Sequence, residues 1–290
     1  MEAIRAAIEK QVISLTGLAL GGIDFENPPG DPGLFGPQSV IWQVHNDFTS
    51  MLCGGVSALL MQMLHPLALA GVWDHSNFRE DMLGRLRRTS QFVSVTTFGP
   101  TAEAERLIAK VKAIHLQVNG VSSDGRPYAA SDPELLTWVH VVESSRFLAS
   151  HLRYRNPSLP REKQDQYYRE AARVAAALGA EEIPTSCTAV EEYLQRMRPQ
   201  LVCDERTREV ARILLAAPAH SALARPFGAL VMHAGIDLLP DWAQQQFDFH
   251  PGNLRRRLVR TGAGGVGKVL RASMRNGSYQ RALRRINRQA

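Results

Sequence analysis

Between Pro100 and Gly120, the apolar residues Leu107, Val111, Ile114 and Val118 recur at spacings of four, three and four. That interval lines one face of an α-helix. Thr101 is placed to cap its start, Glu103 and Glu105 sit where the helix dipole favours anions, and Gly120 supplies a stop. His115 falls on the apolar stripe, next to Ile114 and four residues after Val111. The same period predicts a first helix over 2–18, with Ile4, Ile8, Val12 and Leu15 on one side. Residues 21–36 read as a Gly/Pro loop, and Ser39 is placed to cap a helix running through Trp42, Val44 and Phe48. Asp132-Pro-Glu134 is a strong helix start, followed by Leu135, Trp138, Val139, Val142 and Phe147. After a linker at 154–160, helices are predicted over 161–178 (stopped by Gly179), 188–197, 205–215 and 226–236, with another from Asp241 towards His250. Strand-like alternation is nearly absent, so the expected class is all-α, a single multi-helix domain.

Residues 48–73 carry no formal charge and are long enough to cross a bilayer. Gly54-Gly55, Gln62, His65 and Pro66 interrupt them. Proline ends or kinks a helix, which leaves 55–64 as a short helix that is apolar nearly all round and expected in a buried core. Met51, Met61 and Met63 add adaptable packing there.

Charge divides the chain unevenly. Eleven of the 34 Lys and Arg residues and none of the 28 acids lie in 253–290. A mildly acidic body, 1–252, is thus followed by a strongly basic tail, 253–290. The basic pI belongs to the tail and argues for no specific nucleic-acid partner. A helix near 281–288 is expected to dock on the acidic body, or to make peripheral contact with an anionic membrane. Gly262-Ala-Gly-Gly-Val-Gly-Lys268 fits the first seven positions of a P-loop. Val269 stands where the magnesium-binding hydroxyl belongs and no strand precedes it, so the run is read as a flexible connection and not a nucleotide site. Cys53, Cys187 and Cys203 are too few for a disulfide framework, and no C-x-x-C is present. The amphipathic start lacks the long apolar core of a secretory signal, so a reducing cytoplasm is the expected compartment.

The unusual chemistry is at 84–92. In Gly84-Arg-Leu-Arg-Arg-Thr89 a helix would bring Arg85, Arg88 and Thr89 to one face, with Phe92 one turn on. A solvated face needs no Phe, and a core face does not tolerate unpaired charge. Two readings stand. His115 is a core histidine bonded to a backbone carbonyl and the arginines form ordinary ion pairs; or His115 ligates the iron of a b-type haem whose propionates or open iron position the arginines and Thr89 face. His65, before Pro66, and His140 are the rival ligands; His75, beside Asp74, reads as a turn stabiliser.

Several blocks, in order and spanning about half the chain, resemble a known family. They are Asp31-Pro-Gly-Leu-Phe-Gly-Pro-Gln-Ser-Val-Ile-Trp42, Ala58-Leu-Leu-Met-Gln-Met-Leu-His-Pro66, Asp74-His-Ser-Asn-Phe78, Gly84 to Thr89, His115 with Gly120, and Asp132-Pro-Glu-Leu-Leu-Thr-Trp-Val-His140. The family is that of haem-dependent oxygenases including latex-clearing protein (rubber oxygenase) and the ER-bound oxygenase of mycophenolic acid biosynthesis. The resemblance implies an all-helical domain with a globin-like core that binds haem b through one histidine, here His115. It puts the family's Arg…Thr motif on Arg85 and Thr89, a second family histidine at His140, and an acid near Asp47. Arg85, Arg88 and Thr89 would serve catalysis; His115, Arg85, Arg88, Thr89, Phe92, His65 and His140 would surround the cofactor.

The expected function is therefore oxidation or cleavage of a small apolar substrate with dioxygen. The alternative is a non-catalytic haem-binding or all-helical ligand-binding protein. Two departures qualify the likeness. Relatives that cleave rubber often carry lysine where Arg88 stands, and arginine is a poor iron ligand, so no lysine-capped iron is expected. The lack of an export signal makes rubber an unexpected substrate. Ferritin-like di-iron chemistry would need paired Glu-x-x-His motifs, and none is found.

Overall fold

The uncharged stretch becomes the centre of the molecule. In the computed structural model, which describes residues 22–217 and 224–288, it folds as α2 (Phe48–Gln62) and α3 (Pro66–His75). A short α1 (Val40–His45) precedes them. The expected continuous helix through Phe48 is broken at Asn46, because Asp47 caps a new helix by accepting from the Ser50 N–H at 2.8 Å. The axis turns by 103° between α2 and α3, with Pro66 opening the second helix. Among the described residues no single helix is long and apolar enough to cross a membrane, though the bent pair passes by length and composition. Most of α2 is buried.

Three long helices cover α2: α6 (Pro133–Tyr154), α10 (Arg225–Leu238) and the late α12 (Asn253–Ser273). Two glycines permit the close crossings. A Cβ at Gly54 would stand 3.0 Å from the Arg146 carbonyl and the Phe147 ring, and one at Gly235 would enter the Val56 side chain.

The helix predicted after Pro100 pairs with the helix before it as an antiparallel hairpin, α4 (Met82–Phe98) and α5 (Thr101–His115). Thr101 is the first helical residue and not the cap; the Asp31 carboxylate accepts from its N–H at 2.8 Å and its hydroxyl at 2.7 Å. Gly120 does not end α5. It lies in β1 (Asn119–Val121), which pairs with β2 (Pro127–Ala129) across the turn at 122–126. The remaining described helices are α7 (Arg161–Leu178), ending on Gly179 at φ 111°, α8 (Cys187–Met197), α9 (Glu205–Leu215) and α11 (Asp241–Gln246). The helix predicted over 2–18 lies outside the described residues.

The basic segment is part of the same all-α core. Gly262 to Lys268 is the interior of α12, not a flexible connection. After it, α13 (Ser278–Asn287) packs against α4. Val259, Ala263 and Ala282 join the central hydrophobic cluster. The arginines find the acids of the body. Arg260 and Arg153 reach the buried Asp237 at 2.7 and 3.1 Å, Arg271 pairs with Asp47, and Arg284 with Glu26 at 2.7 Å. Arg285 is fully buried and donates to the carbonyls of Asp31, Phe25 and Gly99 at 2.8, 2.9 and 3.2 Å. Of the outcomes expected for the tail, docking on the body is the one seen, and the boundary at 252 is not a break in the packing.

Candidate active site

α2, α4, α6 and α10 enclose a cavity of about 760 Å³, large enough for a drug-sized molecule. Its walls are mostly apolar, with Leu59 from α2, Val93 from α4, Phe147 from α6 and Phe227 from α10, and Tyr279 of α13 reaches its edge. The geometry follows from α2 being apolar on every side: it packs against α6 and α10 and still presents Met51, Gly55 and Leu59 to the hollow.

Thr89 of the arginine motif lines this cavity; Arg85, Phe92, His65, His115 and His140 do not. Arg85 is half-buried. Its Nη1 donates to the Ser76 hydroxyl at 2.8 Å, and desolvation, with Arg88 nearby, pulls its pKa down to about 10. The Thr89 hydroxyl donates to the Arg85 carbonyl at 3.2 Å. Arg88 is exposed and forms the ordinary ion pair, 3.4 Å from Asp81. Phe92 is half-buried one turn beyond Thr89.

His115 closes α5, half-buried, fifteen residues after Pro100 as Arg85 is fifteen before it. The antiparallel hairpin therefore sets it level with the Arg85–Thr89 end of α4. Its ring makes no hydrogen bond among the described residues, and Nδ1 is buried without a partner. The carbonyl-bonded core histidine is thus not what the structure contains. Burial holds the imidazole pKa below its usual value, keeping the ring neutral. Four further histidine ring nitrogens are buried without a partner, two on the fully buried His151 and two on the rival ligands. The latter are Nε2 of His140 on α6, one turn from the cavity-lining Glu143, and Nδ1 of the buried His65, whose ring is 5.8 Å from Trp138. Burial pushes both pKa values down to about 4, with Arg126 adding to the effect at His65. His75 donates from Nε2 to the Asn119 carbonyl at 3.1 Å, a tie between the end of α3 and β1 in place of the local turn contact expected. Among the described residues no three His, Cys, Asp or Glu side chains converge to hold a bare metal ion.

Sequence reasoning missed two features. Glu143 lines the cavity and, among the described residues, makes no hydrogen bond or ion pair; burial raises its carboxyl to about 7. The signal was present: Glu143 is four residues from both Val139 and Phe147, an acid on an apolar stripe. Beside Phe147, whose ring is 5.3 Å away, His45 bonds through Nδ1 to the Thr97 hydroxyl at 2.9 Å and through Nε2 to the Tyr167 hydroxyl at 3.1 Å. Desolvation, with His151 adding, drops the His45 pKa to about 3. Asp47, the acid singled out by resemblance, also lines the cavity but is held as the α2 cap and by Arg271.

A family model described as ER-bound oxygenase mpaB/B'/Rubber oxygenase, catalytic domain, matches residues 42–272. No curated protein and no solved structure matched the chain.

Proposed function

The chain belongs to the MpaB/rubber oxygenase catalytic-domain family, and on that premise we propose that it is a haem b-dependent oxygenase which oxidises or cleaves a small apolar substrate with dioxygen. The observation that carries the cofactor assignment is the partnerless imidazole of His115, at the end of the helix that pairs with the one bearing Arg85 and Thr89. A buried ring nitrogen without a partner costs free energy in a protein that binds nothing there. A single neutral imidazole with a macrocycle is a complete haem site on the protein's side, so no cluster of ligating side chains is needed. The side-chain chemistry suits the group, although of these residues only Thr89 lines the 760 Å³ cavity. Haem b, when bound, would supply the redox chemistry of dioxygen activation.

The side chains then have separable tasks. His115 stays neutral at physiological pH and offers a lone pair to iron. Arg85, with one nitrogen held by Ser76, keeps further N–H groups for an anionic propionate. Thr89, set on the cavity wall, would stand between the cofactor and the substrate. The apolar walls take up an apolar substrate and keep bulk water from it. Arg88, exposed and paired with Asp81, is the weakest of the three catalytic assignments.

The test is an absorption spectrum with iron analysis on purified protein reconstituted with haemin. The expected result is a Soret band at one haem per chain, lost in His115→Ala while the far-ultraviolet helical signal is kept. Full haem content in His115→Ala would move the ligand to His140 or His65, and no haem uptake by the parent protein would end the proposal. A haem-bound protein that consumes no oxygen with any reductant and apolar substrate would be the non-catalytic binding protein.

A further inference from the structure

The cavity is greasy, yet its wall carries a carboxyl group that nothing among the described residues satisfies. Glu143 comes from the middle of α6 and lines the hollow, whose wall also includes Phe147 on the same helix and Leu86, Ser90 and Val93 on α4. It has no hydrogen-bond or ion-pair partner; the arginines that also line the cavity do not reach it. Behind it the polar groups are already engaged: His45 uses both ring nitrogens, on Thr97 and on the fully buried Tyr167. The network therefore supports the wall without supplying Glu143 with a donor. A carboxyl group without a partner in an apolar wall is expensive, and functional sites are where such groups are kept.

We propose that Glu143 is the polar anchor of the substrate chamber, and that the ligand it selects is a hydrocarbon skeleton, chain or ring, bearing one hydroxyl group. A hydroxyl both donates and accepts, as does a carboxyl near its own pKa, so the pair is complementary in either protonation state. A free carboxylate ligand would bring a second anion beside the first, and a fully apolar ligand would leave Glu143 as unsatisfied as it is without one. The inference rests on reading the cavity as the substrate chamber and is independent of which histidine holds iron.

The probes are naphthalene and 1-naphthol, which have one ring skeleton and differ by a single hydroxyl. Binding to the full-length protein is measured by equilibrium dialysis near pH 7, for the parent, Glu143→Gln and Glu143→Leu. We expect 1-naphthol to bind the parent about tenfold or more tighter than naphthalene, a difference of about 1.4 kcal/mol. Glu143→Gln should keep most of that preference. Glu143→Leu should abolish it while holding naphthalene at least as well, which also shows the chamber intact. If 1-naphthol binds Glu143→Leu as tightly as the parent, the anchor assignment is overturned with the chamber standing. If neither probe binds the parent, the chamber reading falls, and this inference with it.

Discussion

Glu143 and His115 carry opposite kinds of debt. The first is an acid made reluctant to ionise by its surroundings, the second a base made reluctant to take a proton. For Glu143 the folded pKa, about 7, lies above the ordinary carboxyl value of 4.5. The fold therefore favours the protonated form, and its contribution to stability is lost as pH rises from 4.5 through 7. Glu143→Gln should accordingly stabilise the protein at pH 8, by about 1 kcal/mol once solvent in the cavity is allowed for, and change little at pH 4.5. Urea midpoints at the two pH values check this; an equal gain at both would mean that packing and not charge is responsible. The helical period singled out His115 as a histidine four residues after Val111, and only the resemblance pointed it towards iron. Glu143 was not singled out because a single acid in an apolar stripe reads as a helix edge until the opposite wall is known. Neither spacing nor charge told that His115 would stand clear of the large cavity.

At the scale of elements, the helices with strong caps and clean periods were legible: α6 from Asp132-Pro133, α7 to Gly179, and α9. The failures have physical causes. Glycine disfavours helix by about 1 kcal/mol per residue, so the run in α12 reads as a loop. Tertiary contact overrides that preference where Gly267 sits against Thr49 and Gly262 against Leu230. The basic tail reads as detached because an acceptor such as Asp237, Asp47 or the Phe25 carbonyl is remote in sequence. Two substitutions weigh these contacts. Arg285→Ala leaves three main-chain carbonyls without a donor and a hole beneath α13, and should cost about 3–5 kcal/mol in chemical unfolding. A loss below 1 kcal/mol would show α13 to be held by its other contacts. Gly235→Ala drives a methyl into Val56 and should cost about 1–3 kcal/mol by prying α10 from α2. Combining it with Val56→Ala should recover most of that loss, and failure to recover would put the strain in the backbone.

For the whole molecule, burial of unprotonated histidines sets the response to acid. His45 is held at about 3 and His65, His140 and His151 at about 4, in each case chiefly by desolvation. Folded-state values below the ordinary 6.5 mean that the unfolded chain takes up protons first. Stability is then complete above about pH 6.5 and is lost as pH falls towards 4, at up to about 1.4 kcal/mol per pH unit for each histidine. Glu143 works against this between 4.5 and 7, gaining stability as pH falls, but it is one group against these four, with His115 and His233 lowered as well. The acids with depressed values, Asp24, Glu26, Asp31, Asp124 and Asp165, contribute only below about 4.5. The net slope between pH 6.5 and 5.5 is therefore destabilising, on the order of 2 kcal/mol after discounting for solvent at the half-buried rings. The urea midpoint should drop accordingly from pH 7.5 to 5.5, and His151→Gln, which removes a fully buried ring with no partner at either nitrogen, should flatten the drop by about a quarter. A midpoint that holds or rises at pH 5.5 would mean that these rings acquire partners which share the incoming proton. That partner would be most informative at His115 or His140, where a bound macrocycle would compete with protons for the same nitrogen.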